Sequence, residues 1–415
     1  MARIFPFQPY RYSSKAGDLK HLVTQPYDKI SPDMQARYLA ASPHNLVRII
    51  LGERFPSDTG TDNVYTRAAK YFNDWIAAGI LVRDSEPAFY AYFQDFTVPD
   101  SHERLTRKGF IGLGAVEEYT AGVVHRHEQT LSGPKKDRRQ VLEHTRAHFG
   151  QIFMLYGDPE RRIDRILDEA ARGSPVADLT DEYDAVHRLY RIDDPATIEN
   201  IRSVMSDRKL LIADGHHRYE TALAFKHDHP ELDDAGKVMM TFVNMHSPGL
   251  RILATHRVLR ALGDIDREAF LKNVSSSFTV AKVDSFAALR QIWEQFDPEV
   301  IRIGVAFPHT DHVWLLTRPR QGALDVRVLH EKLIEGALGV SAEAVRDEQH
   351  IRYIRGLDTA SHEVRNGNAQ IGFLLEPTTI EQVADTSFAG GVMPQKSTDF
   401  YPKLLSGLTI YRLEK

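Results

Sequence analysis

The run KLLIADGHHRYETALAFKH, Lys209 to His227, constrains this chain more than any other segment. Leu210 to Ala213 form a short apolar block that reads as a buried strand, Asp214 and Gly215 make a tight turn, and the residues after them read as a helix. A helix that starts this way points free backbone N–H groups at one spot, and such a spot favours an anion. His216, His217 and Arg218 would add charge-assisted donors there. In the simpler alternative Asp214 only caps the helix, Gly215 only permits the turn, and the basic side chains are solvated. A cap alone does not call for two adjacent histidines and an arginine.

The rest of the chain limits what the anion can be. At 415 residues, 42% hydrophobic and 26% charged, the composition is that of a globular protein with two or three domains. Net charge is −5, and the 52 Lys and Arg residues are scattered rather than gathered in one basic arm. That balance argues against a DNA partner and suits a small polyanion, such as a phosphorylated small molecule, better than a polymer. Cysteine is absent, which excludes disulfides, thiolate nucleophiles and cysteine metal sites. No apolar stretch approaches the roughly 18 residues that span a bilayer, and the opening MARIFPFQPYRY lacks the apolar block of a secretory signal. The expected setting is cytoplasmic, without a membrane partner.

Strand-like and helix-like runs are interspersed, so the expected class is α/β (α+β). In the first third, residues 46–51, 88–96 and 110–119 read as strands and residues 61–81 as a helix. A second helix is expected after Ser132, Gly133 and Pro134, followed by the strand QIFMLYG. After Gly263 a fresh alternation of helices and strands begins, so the expected division is 1–262 as the core, 263–375 as a second α/β domain, and 376–415 as a segment returning to the core site.

Two further clusters could serve the same anion. In VVHRHEQTLSGPKKDRR, His125 and His127 would share one face of a strand, with Glu128 on the other unless a bulge turns it. Glu128 could be a general base or a magnesium ligand, and Lys135 and Arg138 could clamp phosphate oxygens at the helix start. A cationic helix N-terminus opposes the helix dipole and makes most sense if an anion visits. In MPQKSTDFYPKLLSGL, Lys396, Ser397, Thr398 and Lys403 lie in a loop punctuated by Pro and Gly. The glycines are wrongly placed for a Walker A loop, but phosphate contact remains open beside an ordinary surface turn. Lesser candidates are Tyr27 with Asp28 in TQPYDKIS, and His256 with Arg257 in LATHRVL. No HExxH spacing supports a metal hydrolase.

With DGHHRYE, QPYDKIS, HRHEQT followed by PKKDR, ATHRV and MPQKSTDFYPK, the chain resembles the uncharacterised DUF1015 family over almost its whole length. More distantly, a strand followed by DGHHR and a helix is similar to the phosphate-binding motif of the ParB and sulfiredoxin superfamily, which includes free serine kinases. Sulfiredoxin chemistry needs a cysteine that this chain lacks. The resemblance implies a ParB/sulfiredoxin-like phosphate-binding core and a kinase-type phosphotransferase, with ADP or ATP as donor, magnesium, and a small hydroxylated acceptor such as serine. On that reading Asp214 would hold magnesium or orient the acceptor, and Gly215, His216, His217 and Arg218 would cradle phosphate. Glu128 would be the base, and Lys135, Arg138, Lys396 and Lys403 would complete the anion site. A phosphatase acting on phosphoserine, or a ParB-like nucleotide-binding regulator associated with DNA, are the alternatives that the residues leave open.

Overall fold

The computed structural model describes residues 1–128 and 132–414, with only the backbone of residues 132–134. The second helix, expected after Ser132, Gly133 and Pro134, instead begins at Ser132. The protein is a mixed α/β chain that divides into two compact units. The first comprises residues 1–97, 103–250 and 402–415, and the second residues 98–102 and 251–401. The chain therefore returns to the first unit at Pro402, and residues 376–401 pack with the second.

The first unit is built on a mixed sheet. Its strands are β1 (Ile4–Phe5), β2 (Phe89–Thr97), β3 (Arg104–Ala115), β4 (Val124–His125), β5 (Ile152–Tyr156), β6 (Ala177–Thr180), β7 (Val186–Ile192), β8 (Leu210–Asp214) and β9 (Lys237–Asn244). They lie in the order β4-β8-β5-β9-β3-β2-β7-β6, with β1 beside β3. Only the β4–β8 and β5–β9 pairs are parallel among the described residues. All five residues of β5 are buried, which explains their nearly continuous apolar run. The helices α1 (Val64–Ala77), α2 (Ser132–Thr145), α3 (Arg162–Ala170), α4 (Pro195–Met205) and α5 (His216–Asp228) complete the unit.

Two cores hold this unit together. Phe110 of β3 and Phe242 of β9 stack with centroids 4.9 Å apart, and Leu167 of α3, Ile201 of α4 and Tyr219 of α5 join the same buried cluster. The second core gathers Phe72 and Trp75 of α1, Val141 of α2 and Phe149. In α1 the buried positions Val64, Ala68, Phe72 and Trp75 follow helical spacing, and Asn63 with Thr66 closes a capping box at its start.

The expected strand over 46–51 is instead a short helix, Val47–Ile50. Asn45 accepts the Val47 N–H at 2.9 Å through its side chain and donates to the His21 carbonyl at 2.8 Å, so a local cap starts a helical turn. A short apolar run buried on several sides has no periodicity that separates strand from helix.

The second unit has an antiparallel sheet of β10 (Thr255–Leu259), β11 (Thr279–Val283), β12 (Val300–Ala306), β13 (Val313–Pro319), β14 (Ile351–Arg355) and β15 (Ile371–Leu375), in the order β11-β13-β12-β15-β10-β14. His256 of β10 is buried, and its Nδ1 accepts the Leu375 N–H at 3.2 Å. Burial, and then Arg257, hold its pKa down at about 3. The folded state keeps this ring neutral while the unfolded chain takes up a proton near pH 6.5, so stability falls as pH drops from about 6.5 toward about 3 and is flat below. The expected contribution is about 1.4 kcal/mol per pH unit. His256→Asn should reduce the slope of stability between about pH 6 and about pH 4, read from urea midpoints, by about one proton.

Candidate functional site

β8 is buried along Leu210 to Ala213 and breaks register against β5 between Ile212 and Asp214, so that Asp214 emerges at the sheet end. Gly215 follows at φ +95°, a conformation that disfavours a side chain. A Cβ there would also lie 3.1 Å from the Arg218 guanidinium, which folds back over the turn. Arg218 Nη2 donates to Asp214 Oδ2 at 2.6 Å, and Nη1 donates to the Gln151 carbonyl. From the C-terminal segment, Lys403 Nζ donates to Asp214 Oδ1 at 3.2 Å. Burial opposes ionisation of Asp214, but Lys403, Arg218 and Lys29 outweigh it and hold the carboxyl well below the usual carboxylate range. Three cations act on one carboxylate at the start of a helix.

The histidines are neutral neighbours of this charge cluster. His127 is buried, and its Nδ1–H donates to the Ile212 carbonyl at 2.8 Å. Its ring meets His216 edge-on at 4.7 Å. Burial depresses both pKa values, and Nε2 of His216 has no hydrogen-bond partner among the described residues. His217 is half-buried and also depressed by burial, while Asp28, Glu128 and Glu220 pull the other way. The expected alternation of His125 and His127 along one strand does not occur, because β4 ends at His125. His125 is held by the Gly122 carbonyl at 3.1 Å, while His127 turns to the end of β8.

Helix α2 supplies two of the expected cations. Lys135 pairs with Glu220, which also takes Arg126 at 3.2 Å. Arg138 is bound to Asp137 through Nε at 3.1 Å and lies 4.0 Å above the Tyr27 ring. The Tyr27 phenol is pushed up to about 12 by burial and by Asp28, and stays a neutral donor. Arg138 and Arg218 both line a cleft of about 70 Å³ that opens to solvent, whose other walls include Tyr27, Leu142 and Phe149.

Behind Lys403 stands a buried polar wall. Gln94 Nε2 donates to the Lys403 carbonyl at 2.9 Å, and Arg107 donates to the Pro402 carbonyl. Arg107 Nε also donates to Gln94 Oε1 at 3.0 Å, locking the pair together. The Leu405 N–H donates to the Tyr92 hydroxyl at 3.4 Å, which in turn meets His187 Nδ1 at 2.7 Å, and His187 Nε2 reaches Asp181 at 3.1 Å. The segment carrying Lys403 is thus fixed by its backbone, so its ammonium arrives at Asp214 preorganised.

Both Asp214 oxygens bind cations, and no three His, Asp or Glu side chains converge as a metal site among the described residues. Magnesium that arrives on substrate phosphates needs only one or two carboxylates, and Asp28 and Glu128, which both act on His217, are of that kind.

Lys396, Ser397 and Thr398 belong to the second unit, as do His256 and Arg257. The Lys396 carbonyl accepts Arg257 Nη2 at 2.9 Å, Ser397 Oγ donates to the Pro394 carbonyl, and Thr378 Oγ1 donates to the Ser397 carbonyl at 3.0 Å.

The sequence profile of a family described as a protein of unknown function, DUF1015, matches residues 4–358. The chain belongs to the DUF1015 family. No curated protein matches it. Among solved structures it is similar to a free serine kinase in complex with AMP, at 13% identity and a TM-score of 0.35, over 69% of this chain and 89% of that one. A conserved hypothetical protein from Pyrococcus furiosus matches at 12% identity and 0.35, over 69% and 92% of the two chains. SbnI from Staphylococcus aureus, with a C-terminal truncation, matches at 11% and 0.34, over 72% and 87%. In this DUF1015 protein the site residues that escape a reading of the sequence are Lys29, Gln94, Arg107 and Glu220. Gln94 sits in β2 and Arg107 in β3 among apolar residues, where a polar residue on a buried strand is the one signal that could have marked them.

Proposed function

We propose that the first unit carries a phosphotransferase site that moves a phosphoryl group between a nucleotide and a small hydroxylated metabolite. The observation that supports it is the excess of fixed positive charge around Asp214, where Arg218, Lys403 and Lys29 meet the N-terminus of α5. Phosphoryl transfer depends mainly on positioning and on neutralising charge over the phosphoryl oxygens. Arg218 and Lys403, held by Asp214 and by the buried wall, would bind those oxygens without reorganising. Glu128 or Asp28, which both act on His217, would take the acceptor hydroxyl proton as that oxygen attacks phosphorus and the bond to the nucleotide breaks. Magnesium, where it accompanies the nucleotide, would neutralise phosphate charge, held by whichever of Asp28 and Glu128 does not serve as the base. Serine is the acceptor that the resemblance of DGHHR suggests, and only first-unit residues take part. The reading rests on the site, since TM-scores near 0.35 carry no argument.

The test is turnover. The protein is incubated with ADP or ATP and serine or other small alcohols, with and without magnesium, and followed by 31P NMR. A new phosphomonoester resonance that requires nucleotide is expected. Phosphate release from phosphoserine without nucleotide would replace this reading by that of a phosphatase, and salt-sensitive DNA binding without any turnover would replace it by that of a regulator.

A further inference from the structure

The cleft beside the Asp214 cluster has a mixed lining. Ile50, Val141, Leu142, Ala147 and Phe149 are its apolar residues, and Arg138 and Arg218 bring guanidiniums to it. Neither guanidinium is loose. Arg138 is braced by Asp137 and the Tyr27 ring, and Arg218 by Asp214 and the Gln151 carbonyl. A small polar metabolite would leave the apolar part of the lining unused, and a purely apolar ligand would leave the guanidinium N–H groups that Asp137, Asp214 and Gln151 do not take without an acceptor. The complement is a molecule that carries both a flat apolar ring and an anion.

We infer that this cleft is the base pocket of a nucleoside diphosphate, with the ring against Leu142 and Phe149 and the phosphates passing Arg138 and Arg218 toward the Asp214 turn. This inference rests on the nucleotide reading above and adds where the base lies. Tyr27 also lines the cleft, where its ring can flank the sugar or base and its neutral hydroxyl can donate to a phosphate oxygen. His148, also in the lining, is held neutral by burial at about pKa 4, so it offers a ring edge to the base without adding a charge.

Two binding measurements separate the pocket from the phosphate site. In the unaltered protein saturated with ADP, NOEs are expected from the adenine protons to the Leu142 methyls and the Phe149 ring. Leu142→Trp, which fills the cleft, should weaken ADP by about tenfold or more in calorimetry while inorganic pyrophosphate changes by less than about twofold. ADP that binds Leu142→Trp as tightly as the unaltered protein, with no such NOEs, would overturn the base pocket and leave the phosphate reading standing. Failure of both ADP and pyrophosphate to bind the unaltered protein would overturn the nucleotide reading and the pocket with it. Should Leu142→Trp not fold, the NOEs alone decide.

Discussion

Asp214→Ala is expected to lower kcat/KM by at least about a hundredfold and to destabilise the first unit by about 3 kcal/mol. Both effects have one cause. Asp214 binds Arg218 through one oxygen and Lys403 through the other, so its loss removes a negative charge that two little-exposed cations share. The side chain is about one-fifth exposed, which keeps the stability effect below that of a fully buried pair. The folded-state pKa is depressed, so the stabilisation is present above the unfolded value of 3.8 and is lost only as pH falls toward the lower folded value. Urea denaturation should therefore show the full difference between the two proteins at neutral pH and a shrinking one in acid. Binding of bare pyrophosphate should persist in the variant, because the cations remain. A variant that loses pyrophosphate binding yet keeps turnover would contradict the role assigned to Asp214.

The second large effect is expected at Arg107, which touches neither Asp214 nor the cleft. Arg107→Met removes two buried hydrogen-bonding partners at once, leaving Gln94 Oε1 and the Pro402 carbonyl without their donor, and should destabilise the protein by about 2 to 4 kcal/mol. A merely structural residue would do no more. As a positioning residue for Lys403, Arg107 should also lower kcat at unchanged protein concentration and folded fraction. Gln94→Leu should act through the same contact, so the double variant should fall short of the sum of the two by about 1 kcal/mol or more. Additive effects of the two substitutions, with kcat intact in each, would remove the positioning role.

Much of this arrangement is legible in the chain because the physics is local. The strand, turn and helix of KLLIADGHHRYETAL follow from an apolar block, a glycine and good helix formers, and each choice depends on near neighbours. The same holds for α1, whose spacing and cap are local. What escaped depends on partners far along the chain. Gln94 and Arg107 matter because residues 402–405 arrive beside them, some 300 positions later, and nothing in FYAYFQDF announces that. Glu220 lies in plain sight in DGHHRYE, yet its importance comes from Lys135 and Arg126. The short helix at Val47–Ile50 escaped for the opposite reason, since an all-apolar run carries no period. His127 escaped in its orientation because the strand through His125 stops two residues before it.

The claim on which the account stands is that fixed cations at the Asp214 turn bind phosphate. Calorimetric titration of ADP and of adenosine into the unaltered protein and into Lys403→Met, at low and high salt, tests it directly. The account predicts saturable ADP binding that weakens with salt and falls by about tenfold or more in Lys403→Met, with adenosine bound much more weakly than ADP. Equal binding of ADP and adenosine, unaffected by salt and by the loss of Lys403, would contradict it.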